Sequence, residues 1–152
     1  MTGFLLSVHV LAAILTIGPV AIAASMFPRA VRAAADTRDN AGVAPVLHRI
    51  TRVYAVVGVA VPVFGVATGA SLGVLTDAWL IVSMTLTAAA AAVLLALILP
   101  GQRAAITAVE RASPVDRTSR RLAMHTGMFN LLWAVVVVLM IYRPGSTTGA
   151  GA

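Results

Sequence analysis

Four stretches of the chain carry no charged side chain: residues 1–28, 53–76, 78–102 and 122–142, each at least 21 residues long. About 20 apolar residues at 1.5 Å rise cross the hydrocarbon of a bilayer. Lipid offers no partner for a free backbone amide, so only helices or a closed barrel can cross it. None of the four runs alternates apolar and polar residues as a barrel strand would. The pattern therefore predicts an all-α, four-transmembrane-helix bundle over 1–143. The expected spans are about 3–27, 53–74, 78–99 and 122–142, the expected loops 28–52 and 100–121, and 144–152 is expected to be a disordered tail. The first run lacks a basic leader and is far longer than the roughly 7–15 apolar residues of a signal peptide, so it is expected to be retained as a span.

Local signals refine the ends. Ser113 and Asp116 are three apart around Pro114, which suggests a capping box opening the fourth helix. Residues 102–112 could form a separate short helix, and Thr76-Asp77 is a cap for the third span after a tight turn at Gly73. Pro19 and Pro62 should bend their helices and free a carbonyl four residues earlier. Phe27-Pro28-Arg29 and Leu99-Pro100 with Arg103 head the two long connections, and Pro45-Val46 and Pro114-Val115 precede the returning helices. Two tandem helical hairpins would account for that echo.

Composition agrees with a membrane chain. Of 152 residues, 60% are hydrophobic and 11% charged, and the mean hydropathy is +0.97; a soluble domain carries about 25% charged residues. Without cysteine there is no disulfide, thiolate nucleophile or thiolate metal ligand. The net charge of +6 comes from eleven arginines. Ten of them lie in the two long connections and one, Arg143, follows the last span. Short basic loops stay in the cytoplasm, which predicts both termini outside. Tyr54, Trp79 and Tyr142 then fall at the interfaces, where aromatic side chains gather. Arg49, Arg52, Arg117, Arg120 and Arg121 are expected to meet anionic lipid or a cytoplasmic partner, at roughly 1 kcal/mol per arginine near such a leaflet. The charge is thus a membrane anchor, and no nucleic-acid partner is expected. Arginine to the exclusion of lysine, with abundant Ala and Val, points to a GC-rich bacterial source and its inner membrane.

Few residues inside the spans carry chemistry. Gly65, Gly69 and Gly73 recur every fourth residue, and Gly58 joins their stripe at the helical period; small residues let helices approach closely. The stripe would pack within the bundle, against a partner, or against a second copy in a homo-oligomer. Asn130 is expected to donate an interhelical hydrogen bond worth about 0.6–2 kcal/mol. His9 is an ionisable group within a span, by default a functional candidate, although a bond to a backbone carbonyl or Thr68 would give it a structural role. His9 and His125 lie about 20 Å apart along the helix axes and cannot clasp one iron. His48, beside Arg49, is expected at the headgroups. Met124, His125 and Met128 form a soft cluster suited to Cu(I). No acid or arginine lies within a span, so no proton relay or ion-coupling carboxylate is expected. No catalytic motif is present either, and the chain reads as a non-enzyme without a cofactor.

His9-Val10-Leu11-Ala12-Ala13-Ile14 followed by Gly18, and Met140-Ile141-Tyr142-Arg143-Pro144-Gly145, resemble the two ends of a large family of small bacterial four-helix integral membrane proteins with no established activity. His9 on the first helix is also similar to helix histidines of the copper-resistance D proteins and of bacterial membrane-bound protoporphyrinogen oxidase, which serve copper or haem. The first expectation is a non-catalytic accessory subunit of a larger inner-membrane complex, a multi-subunit lipid transporter before a respiratory assembly. The alternatives are a haem- or copper-binding redox protein using His9, and a homo-oligomer built on the glycine stripe.

Overall fold

The computed structural model describes residues 1–37 and 41–146. Within them the protein is all-α: α1 (Thr2–Thr37), α2 (Val43–Val57), α3 (Ala60–Leu72), α4 (Ala78–Ala92), a π-helical turn (Val93–Ile98), α5 (Leu99–Glu110) and α6 (Asp116–Tyr142). They make four continuous rods, Thr2–Thr37, Val43–Leu72, Ala78–Glu110 and Asp116–Tyr142, each long and apolar enough to cross a membrane. Residues 147–152, most of the expected tail, and Arg38 lie outside the described residues.

The long connections differ from the loops expected of them. The 36 residues of α1 make a rod of about 54 Å at 1.5 Å per residue, against roughly 30 Å of hydrocarbon. α2 likewise carries its arginine-rich segment as helix, while α5 and the start of α6 are helical as the signals at 102–112 and 113–116 suggested. The reason is an amphipathic period within those segments. Phe27, Val31 and Ala34 on α1 and Ala44, Leu47, His48 and Thr51 on α2 are buried at i, i+3, i+4 and i+7 spacing. Phe27, Val31, Ala44 and Leu47 join Ala105, Val115 and Leu122 in one apolar cluster at the arginine-rich end, here termed the basic end. A second cluster, around Val20, Ala24, Ala90, Val93, Ile98 and Phe129, fills the middle.

Proline and glycine explain the irregularities. Pro62 has no N–H for the Gly58 carbonyl, which accepts instead from Val61 N–H at 3.0 Å; this tightened turn separates α2 from α3. Pro100 is likewise missing a donor, and the helix widens into the π turn just ahead of it. α1 stays a single helix through Pro19 and Pro28. Pro28 frees the Ala24 carbonyl, and the Thr126 hydroxyl of α6 donates to it across a long 3.5 Å. Gly73, at φ +71°, ends α3 in the left-handed conformation. Ser113 does not cap α6. Its N–H closes the end of α5 on the Ala108 carbonyl at 2.8 Å, while Val115 takes the N-cap position without a side-chain bond. Asp77 is the α4 N-cap, and its carboxylate accepts from Trp79 Nε1 at 3.1 Å rather than from the backbone.

α1 packs along α2 and α3, and α4 along α6, giving two hairpins. They meet chiefly at the middle and basic end, where Arg32 Nη1 donates to Ser119 Oγ (3.1 Å), Ser119 donates to the Pro28 carbonyl (2.9 Å), and Asn130 Nδ2 donates to Ser25 Oγ (3.2 Å). Both apolar clusters lie there too. Towards the opposite, far end the hairpins separate except where α3 and α4 are joined through residues 73–77, with Leu80 and Leu75 on Gly69.

Candidate functional site

That separation leaves a cavity of about 750 Å³ between α1, α3, α4 and α6, within the roughly 300–1,000 Å³ typical of small-molecule sites. Its wall is apolar, and part of it consists of side chains such as Val10, Ile14, Met84 and Val137 that are exposed on the rods. The cavity therefore opens sideways, towards where lipid would lie. Only two of its lining residues ionise, His9 and Arg143.

His9 is placed by a glycine. The imidazole lies across α3 where Gly65 has no side chain; a Cβ there would stand 3.0 Å from His9 Cε1. His9 Nδ1 is 2.9 Å from the Val61 carbonyl oxygen. A carbonyl only accepts, so the bond is donated from a protonated Nδ1. Thr68, the other partner expected for His9, instead donates to the Phe64 carbonyl in its own helix at 2.7 Å.

Trp133, with Pro62, Thr87 and Ala91, lines both this cavity and a second one of about 110 Å³ towards the basic end. Its ring stands edge-on to Phe129 at 6.4 Å, yet its Nε1–H is buried with no acceptor. Tyr54 lines the smaller cavity. At the far rim Arg143, at φ +44°, closes α6. Its Nε donates to the Met140 carbonyl at 3.2 Å, and its guanidinium lies 5.6 Å over the Trp79 ring, a cation–π geometry.

The glycine stripe does not act as one face. Gly65 receives His9 of α1, whereas Gly69 receives Leu80 of α4 and Leu75, whose methyl carbons would lie 2.9 and 3.1 Å from an added Cβ. Gly58 sits against its own preceding turn, and Gly73 is a helix end with open space around it. Asn130 joins α6 to α1 through Ser25, and its Oδ1 is buried without a donor. Arg49, Arg52, Arg117, Arg120 and Arg121 are all exposed at the basic end.

The chain's apolar length and its four rods agree with one further finding. A family model described as a predicted integral membrane protein matches residues 4–144. The chain belongs to the DUF2269 family. The match takes in His9, Trp133 and Arg143, so the whole cavity is built from DUF2269 sequence, as are the two end motifs that carried the resemblance, up to Pro144. No curated protein and no solved structure matches the chain.

Two features escaped the sequence reading of this DUF2269 protein. His48 is not at an open headgroup position but buried, 9% exposed. Its Nδ1 is 2.9 Å from Gln102 Oε1; Gln102 Nε2 donates to Thr51 Oγ1 at 3.4 Å, and Thr51 donates to the Leu47 carbonyl at 2.9 Å. Gln102, fully buried, was visible only as the end of a charge-free run; an amide beside a helix-terminal proline was the available signal. Trp133 carried no signal beyond its type. Met124 and Met128 of the soft cluster are 64% and 41% exposed and away from His9.

Proposed function

We propose that the protein is a non-catalytic binding component of the bacterial inner membrane, holding a lipid-like molecule with one long apolar chain between the far halves of its hairpins. The carrying observation is the 750 Å³ apolar cavity with its lateral opening. A chain already dissolved in lipid gains little from apolarity alone. It is selected by shape and by a few fixed polar groups, and His9 and Arg143 are such groups. Having only these two ionisable residues in its wall favours holding over chemistry. With the basic end cytoplasmic, the cavity lies in the outer leaflet. The exposed arginines of the helical extensions then supply the contact with anionic lipid or with neighbouring subunits of a larger complex, a lipid transporter fitting such a cavity better than a respiratory assembly.

Native mass spectrometry of protein taken from its own membrane in mild detergent tests this. A lipid-like adduct is expected on the wild type and is expected to be lost from Ala13→Phe and Ala88→Phe, which fill the cavity from two walls. Equal adducts on all three would refute the site. Larger membrane subunits co-purifying in fixed ratio are expected for the accessory role, and a protein that purifies alone would count against it.

A second reading keeps a specific observation. Met84 and Met140 line the same cavity as His9, and thioether and imidazole donors suit Cu(I). Competition with a Cu(I) chelator separates the two readings: copper retained by wild type and lost from Met84→Leu with Met140→Leu would favour this one.

A further inference from the structure

We infer that the molecule held in the cavity is an anionic amphiphile, with its oxyanion headgroup on the Arg143 guanidinium at the far rim and its apolar chain running inward; this rests on the binding role proposed above and names the ligand class. Arg143 is the one arginine outside the two long connections, on a side of the membrane from which positive charge is otherwise kept, and it lines the cavity. Its guanidinium is held rather than loose. Nε donates to the Met140 carbonyl at 3.2 Å, and the cation lies 5.6 Å over the Trp79 ring. That ring is itself buried and fixed by its Nε1–H on Asp77 Oδ2 at 3.1 Å, so the acid at this end steadies the platform beneath the cation. Among the described residues the partners of Arg143 are thus a carbonyl dipole and an aromatic face. Neither neutralises a full charge. The Nη groups remain to donate, and their planar fork matches a carboxylate or a phosphate. Beside an apolar wall such a pairing is stronger than in water. A neutral headgroup would leave the charge unmatched.

The position of Arg143 sets the orientation. Trp133 lines the same cavity ten residues back along α6, about 15 Å deeper at helical rise. Between the two, Val136, Val137, Met140 and Ile141 make the α6 side of the wall. An oxyanion on Arg143 stays at the level of the headgroups, where no charge has to enter hydrocarbon, and its chain has that apolar wall to lie along.

The test uses the full-length protein in nanodiscs of phosphatidylcholine, with arginine labelled with ¹⁵N and the Arg143 guanidinium signal assigned through Arg143→Lys. The probes are dodecyl phosphate, dodecanoate, dodecylphosphocholine and dodecanol, which share one chain and differ in the headgroup. Native mass spectrometry reads the bound fraction, counting the adduct that Ala13→Phe or Ala88→Phe removes. Both anions should bind about tenfold or more over the zwitterion and the alcohol, and they alone should shift the Arg143 signal. Arg143→Gln should abolish the preference, and Arg143→Lys should keep part of it. Either order of the two anions supports the assignment and names the source: phosphate first is a phosphate-headed lipid, carboxylate first a fatty acid. If all four bind equally and the Arg143 signal does not move, the anionic assignment is wrong while the chain-binding role stands. A preference that survives Arg143→Gln places the charge contact elsewhere and overturns it as well. If no probe gives a cavity adduct, both readings fall. Arg143→Lys retains the charge and tests the site should Arg143→Gln fail to fold.

Discussion

Replacing Gln102 with leucine removes the centre of a buried polar chain, and the structure sets the size of the effect. Among the described residues Gln102 Oε1 is the one partner of the His48 ring, whose Nε2 is already buried and unpaired. In Gln102→Leu the Nδ1–H loses its acceptor as well, a loss of roughly 1–3 kcal/mol. Thr51 contributes little to it, because its bond to Gln102 is long and its own proton still reaches the Leu47 carbonyl. His48→Phe strands Gln102 Oε1 in turn, for a similar penalty. The double replacement strands neither group, so its destabilisation should fall short of the sum of the single ones by about 1–2 kcal/mol, the coupling expected of directly bonded partners. Reversible unfolding in mixed micelles with increasing SDS, followed by circular dichroism, measures all four proteins. Losses that add to within about 0.3–0.5 kcal/mol would mean the two side chains act independently, and the reasoning from this network would be wrong.

Other consequences are as direct. Gly69→Leu should destabilise the monomer by about 1–3 kcal/mol through overpacking against Leu80 while leaving the oligomeric mass in detergent unchanged; light scattering that showed a dissociated oligomer would instead place Gly69 at an interface between copies. Gly73→Ala meets no neighbouring atom, so its loss of about 1–2 kcal/mol should come from the backbone at positive φ alone, and Gly73→Asn should recover part of it in the same thermal melts. Asn130→Leu should cost about 0.6 kcal/mol, the mean for an interhelical hydrogen bond in a membrane, and the loss should vanish in a Ser25→Ala background.

The four spans were legible because charge is intolerable in hydrocarbon, so uninterrupted runs mark what crosses. The same logic misread the first basic segment. Arginine at 29, 32, 49 and 52 signals water, yet Val31, Ala34, Leu47 and Thr51 between them keep a helical period that packs a core beyond the bilayer. His9 was legible as an ionisable group in a span. Its partner was not, since the imidazole rests on Gly65 and Val61, which lie 56 and 52 positions away and look like ordinary membrane residues. The glycine spacing suggested one stripe, but each step of four residues turns a further 40° or so, enough to aim Gly65 at α1 and Gly69 at α4. Trp133 was invisible for another reason: an unpaired N–H is a property of everything around it. The cavity itself arises where two hairpins diverge, and no local stretch of sequence records that.

A bundle with its apolar clusters in the middle and at the basic end is clamped like a pair of tongs. Motion there is limited by close packing, whereas at the far end the hairpins are tied through residues 73–77 and through Leu80 and Leu75 on Gly69, along one side of the cavity. Displacement grows with distance from the clamp, and a change of about 5° between the hairpins moves tips roughly 30 Å away by about 2–3 Å. On the side away from the α3–α4 turn the jaws can thus widen by nearly a methylene group's width without unpacking the grip, and lateral pressure in a single leaflet acts on that gap.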